Sequence, residues 1–206
     1  MRHVLALLAL FTLTSLPAAQ ADDQAVATPG QAGEHAAAPK EAVAKGQQGR
    51  LDRLFVELKK ERNEKAAERI AGRIWQEWNH SGSASIDLMM EWSKTAMEKR
   101  KFDVALDFLD QVVMLRPAYA EGWNRRATVH YMMQNYRKSM ADIDRTLRLE
   151  PRHFGALSGM AAMLKATDRK ELALEAYQRV LDIYPMMRSA QDEVATLSEE
   201  LSSDGI

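Results

Sequence analysis

From Leu51 onward, apolar residues recur at three- and four-residue intervals in stretches broken by short polar turns, a pattern that predicts helix after helix. The first two are Leu51–Glu61 (LDRLFVELKKE) and Ala66–Asn79 (AAERIAGRIWQEWN). The last is Arg188–Leu201, with Ala190, Val194, Leu197 and Leu201 on one stripe and Asp192, Glu193, Glu199 and Glu200 outside it. Between them the pattern repeats itself. Pro117, Pro151 and Pro185 are 34 residues apart, and each closes a similar run: FDVALDFLDQVVMLRP, YRKSMADIDRTLRLEP and KELALEAYQRVLDIYP. In register, Ala105, Ser139 and Ala173 are small, while Leu109, Ile143 and Tyr177 are large, as are Leu115, Leu149 and Ile183. Upstream, Met89, Trp123 and Leu157 align as large residues and Ser93, Ala127 and Ala161 as small ones.

Each unit reads as two helices joined by a polar turn at Glu98–Lys101, Gln134–Asn135 or Ala166–Arg169. The small positions let the paired helices approach closely, and the proline ends the second helix and turns the chain to the next unit. One pair cannot bury its own apolar face, but stacked pairs can, with at least about three needed. This arrangement resembles the tetratricopeptide repeat (TPR) family over residues 86–187, in units Ile86–Tyr119, Ala120–His153 and Phe154–Met187. Two positions depart from the family pattern: its aromatic at the eleventh is Ala96, His130 or Leu164, and its small residue at the twentieth is Ser139 in the middle unit. The resemblance implies an all-α, right-handed solenoid. Residues 50–85 read as a degenerate repeat stacked before it, with Ala71 and Trp75 in register, and residues 188–206 as a capping helix and tail.

The N-terminus has a different character. Arg2, the 13-residue apolar run Val4–Leu16, Pro17 and Ala19-Gln20-Ala21 form a signal peptide expected to be cleaved after Ala21. The run is too short for the roughly 20 residues of a membrane span. No comparable run follows, so no membrane span is expected in the mature chain, which is assigned to the periplasm or, failing that, to secretion. Residues 22–49 contain almost nothing large and apolar and are expected to be a disordered tether.

Composition removes further function classes. The 206 residues include no cysteine, so disulfides, Cys-ligated metals and a thiol nucleophile are excluded. With 28 basic and 29 acidic residues, binding of nucleic acid by bulk charge is not expected. His80, His130 and His153 lack metal-ligand spacing, and His130 replaces a repeat-packing aromatic. Asp142 and Asp144, two apart on a helix, point in different directions and do not make a cooperating carboxylate pair. No nucleophile elbow or phosphate loop occurs, so a non-enzymatic protein without cofactors or metal is expected. Of the 12 methionines, 11 lie between Met89 and Met187; core packing is the main reading, beside an adaptable binding surface or a thioether copper site. Trp75, Trp78, Trp92 and Trp123 are expected as buried anchors.

By resemblance to the family, the first helices of the units line a concave groove suited to a protein or peptide. The groove-facing positions are Met90, Lys94 and Met97 in the first unit, and Glu121, Asn124, Arg125, Thr128, Tyr131 and Met132 in the second. The cochaperone members grip a C-terminal carboxylate with cations of the first and third units. Here the third-unit positions are Gly155 and Gly159 and the first-unit pair is Met90 and Lys94, so that clamp is absent. The sequence thus reads as an adaptor or scaffold of the cell envelope. The competing reading is a self-association module forming a homo-oligomer.

Overall fold

The computed structural model describes residues 31–204. The expected signal peptide and residues 22–30 lie outside the described residues. Nine helices and no strand occur among them: α1 (Gln31–Lys60), α2 (Glu64–Asn79), α3 (Ala84–Glu98), α4 (Phe102–Leu115), α5 (Ala120–Met132), α6 (Tyr136–Leu149), α7 (Phe154–Ala166), α8 (Lys170–Ile183) and α9 (Arg188–Asp204). Helices α3 to α8 form three hairpins stacked in chain order, and α9 packs on α8.

The 34-residue period has a backbone counterpart. Arg100, Gln134 and Asp168 end α3, α5 and α7 in the left-handed region, at φ 56°, 60° and 56°. In each turn two amides bond backwards to the last helical carbonyls, as Arg100 N–H does to Met97 and Lys101 N–H to Ala96. That double bond satisfies carbonyls the helix end would otherwise orphan. The second helices stop at Arg116, Glu150 and Tyr184, one residue before each proline, where helical geometry is disfavoured.

The small positions lie where hairpin helices touch. Ala105, Ser139 and Ala173 are fully buried, as are Ser93 and Ala161, with Ala127 nearly so. Ser139 is tolerated there because its hydroxyl donates to the Ala127 carbonyl at 2.8 Å. Ala96, His130 and Leu164 are all buried at the drifted eleventh position. His130 sits 4.0 Å from Asp142, and burial pushes its pKa down. Asp142 is itself buried and paired with Arg126, whereas Asp144 is exposed and paired with Arg148.

Three expectations need correcting. Residues 31–49 are not a tether but the first part of α1. Alanine, glutamine, glutamate and lysine dominate them, and such residues extend a helix already nucleated by the packed Leu51, Phe55 and Leu58. The end of this segment and the residue after it are fastened to the end of α2: Gln47 Nε2 donates to the Glu77 and His80 carbonyls, and Arg50 pairs with Glu77 through two bonds of 2.6 and 2.9 Å.

The second correction concerns the α1–α2 hairpin, which does not stack on α3 as a fourth repeat. It lies against α5 and α8, and through Trp75 against Phe154 and Gly155 of α7. Its core residues Phe55, Ile70, Ile74 and Trp78 join one cluster with Phe154, Leu157, Tyr177 and Tyr184. Trp78 stacks on His153 at 4.0 Å with the rings nearly parallel, and Trp75 meets Phe154 edge-on. Arg152 reaches over the Phe55 ring and bonds Asp52 at 2.8 Å.

The third correction follows from the second. With no helix pair in front of α3, Trp92 is 47% and Leu88 48% exposed. Core packing of the methionines also fails at Met114, 71% exposed at a position where the other units carry the exposed Arg148 and Asp182. Trp123 is half-buried beneath the guanidinium groups of Arg126 and Arg145. Trp75 is half-buried too, leaving Trp78 as the fully enclosed tryptophan.

Candidate functional site

A groove runs between α5 and α7, with α6 as its floor. It deepens into a cavity of about 130 Å³ lined by Asn124, Thr128 and Tyr131 on one side, Gly155, Ala156 and Gly159 on the other, and Ala127, Ile143 and Met163 beneath. The opening exists because α7 presents glycines four residues apart, which share one face of a helix. Tyr131 stands at the rim, 40% exposed, with its ring 5.8 Å from that of Tyr136. The Thr128 hydroxyl is tied back to the Asn124 carbonyl at 3.1 Å.

One end of the groove is closed by α2. The Trp75 ring lies so close to Gly155 that a Cβ there would stand 2.7 Å from it, so only glycine permits this approach. Beside that contact is a buried polar cluster. Glu121 accepts from Asn124 Nδ2 at 2.9 Å and from Arg125 at 3.3 Å, and its third contact is His153 Nε2 at 3.2 Å. His153 Nδ1 accepts the Ala156 amide proton, so the ring carries its proton on Nε2 and donates it to Glu121. Burial alone would raise the Glu121 pKa, yet the hydrogen bond and charge of the groups around it prevail and hold it below the ordinary carboxylate value. Arg125 is committed as well, donating to Asn79 Oδ1 at 2.5 Å and to the Met90 carbonyl at 3.1 Å.

The residues assigned to the groove therefore separate. Asn124, Thr128 and Tyr131 come together around the cavity. Lys94 and Arg125 lie apart from them, in a shallow polar recess shared with Asn79, Asp87 and Glu91. Met90 and Glu121 are not accessible, at 2% and 4% exposure: Met90 faces the core of the first hairpin, and Glu121 is enclosed by His153 and Arg125. Met97 is partly buried against that same core, and Met132 is half exposed. Reasoning from the sequence missed two features, the cover provided by α2 and the cavity above Gly159. The glycine pair signalled the cavity; nothing local signalled the cover. Among the described residues no group of three or more His, Cys, Asp or Glu side chains is disposed to hold a metal, and no helix is long and apolar enough to cross a membrane.

Stacked helical hairpins bearing an open groove on their first helices define a class of protein, the α-helical repeat solenoids. No protein-family model matches the chain. A TPR repeat-containing protein of Rhizobium etli, however, is 54% identical over 155 residues, 75% of this chain and 76% of the relative. The chain belongs to the TPR repeat-containing proteins. Small glutamine-rich tetratricopeptide repeat-containing protein 2 of Saccharomyces cerevisiae is 29% identical over 97 residues, 47% of this chain and 28% of that protein. Among solved structures, the first TPR of Spaghetti (RPAP3) bound to the HSP90 peptide SRMEEVD superposes with a TM-score of 0.55 at 22% identity, over 58% of this chain and 95% of that one. The Sgt2 TPR domain of Aspergillus fumigatus does so with a TM-score of 0.55 at 16% identity, over 60% and 83%. These two establish the fold.

Proposed function

We propose that the protein is an exported adaptor or scaffold of the bacterial cell envelope, without catalytic activity of its own, that holds a protein partner in the groove between α5 and α7. The cavity ringed by Asn124, Thr128 and Tyr131 carries this reading, because it is concave and apolar beneath with polar groups at its rim, the usual make-up of a binding site. The apolar run Val4–Leu16 followed by Ala19-Gln20-Ala21 supports export. The test is affinity capture from an envelope fraction with wild type and the Tyr131→Glu variant. The reading predicts at least one protein retained by wild type and lost with the variant. Identical retained sets would refute it.

A second reading, self-association, is favoured by one observation: Leu88 and Trp92 leave an uncovered apolar face at the front of the stack. Sedimentation across a concentration series separates the two, since this reading requires a defined oligomer that Trp92→Glu dissociates.

A further inference from the structure

We infer that the partner is gripped through an internal segment, by one aliphatic side chain of about leucine or methionine size seated in the cavity over Gly159. The inference rests on the adaptor reading and names the chemistry of what the groove takes.

Size is the first argument. The cavity measures about 130 Å³. An apolar cavity of roughly 150 Å³ accepts a benzene-sized molecule, so the space suits one side chain and not a helix or a larger ring system.

The two glycines supply the second. In a helix glycine is less favourable than alanine, and most so in the interior, where Gly159 lies. Gly155 is accounted for by Trp75, which leaves no room for a Cβ. Gly159 has no such reason: a Cβ there would only reach ordinary contact, 3.6 Å from Ile143 Cδ1. Packing does not demand glycine at this position, and its consequence is the open cavity.

Charge decides the kind of segment. A C-terminal carboxylate needs a free cation, and no lysine or arginine lines the cavity; Lys94 lies in the separate recess beside Arg125. Arg125 is spent on Asn79, Met90 and Glu121, Arg126 on Asp110 and Asp142, and Lys165 on Glu193. What the rim offers is neutral. Asn124 is 9% exposed and its Nδ2 points at the Glu121 carboxylate, which can only accept. That orientation fixes the amide oxygen on the other side, where it accepts no hydrogen bond among the described residues. An uncharged acceptor beside an apolar recess matches a peptide N–H followed by an aliphatic side chain.

The test uses the whole protein and short random-sequence peptides, displayed once with amidated and once with free C-termini. Selected peptides are expected in both formats and to share an internal Leu, Met or Ile. Changing that residue to Asp, or Gly159 to Leu in the protein, weakens binding at least about tenfold, the scale on which pockets discriminate by shape. Gly159→Ala gives a smaller loss, and circular dichroism establishes that each variant is folded. If Gly159→Leu does not fold, methyl shifts of Met163 on peptide addition carry the test, and no shift counts against the inference. Peptides that require a free C-terminus, or that bind Gly159→Leu as tightly as wild type, overturn the inference while leaving the adaptor reading intact. Failure of Tyr131→Glu to change what wild type captures is the separate result that removes the adaptor reading.

Discussion

At the C-terminal end of the stack, α9 buries Ala190 and Leu197 against α8 and turns Asp192 and Glu199 to solvent. At the N-terminal end, Leu88 and Trp92 remain about half exposed, although an amphipathic hairpin precedes them by only a few residues. The difference lies in what each flanking element finds when it folds. Helix α9 meets the next groove in line. Helix α2 carries Trp75 and Trp78, and the matching surface for two indoles is the notch at Gly155 and the His153 ring, two repeats away. Aromatic fit outweighs nearness along the chain.

The largest test of this contrast removes one anchor from each end. Trp78→Ala is expected to destabilise by about 3–5 kcal/mol and Leu197→Ala by about 2–5 kcal/mol in urea unfolding. A cost below about 1 kcal/mol for Trp78→Ala would show that the hairpin contributes little and that the two ends are alike. Gly155→Ala comes next, at about 1–3 kcal/mol, because the new methyl group must displace the Trp75 ring. Hydrogen exchange should then rise in α2 and stay unchanged in α9.

Acid separates the same two regions. The Glu121 pKa in the folded protein lies below its ordinary value of 4.5. Its stabilisation is therefore complete above that value and disappears as pH falls through the lower, folded-state pKa. Wild type should lose stability along that limb, and Glu121→Gln should lack this contribution while being less stable at neutral pH. The smallest effect belongs to the uncovered end, where Trp92→Ser removes one ring contact with Phe108 and should cost about 1 kcal/mol for the monomer.

How much could be read in advance follows the range of the interactions. Hairpin contacts such as Ser139 on Ala127 repeat with the period, so residue size at fixed positions sufficed to locate them. The turns at Arg100, Gln134 and Asp168 were legible for the same reason. The hairpin's site was not, because Trp78 and His153 are far apart in sequence and neither belongs to the repeat pattern. Glu121 shows the limit within the groove. Its register position faces outward, yet His153, 32 residues on, turns it into a buried acceptor. Tyr131 and Thr128 lack such distant partners and lie where register put them.

Arg100, Gln134 and Asp168 have a practical consequence as well. All three hold a left-handed backbone with a side chain present, at about 1–2 kcal/mol for Arg100 and Gln134 and less for Asp168, whose short polar side chain tolerates it. They are distant from one another and outside the cavity lining. Glycine at one, two or all three should therefore raise the melting temperature in additive steps, the largest at Gln134, because Arg100 also gives up its contact with the Phe102 ring. That ladder would set thermal endurance by the number of substitutions while the partner-binding surface stays as it is.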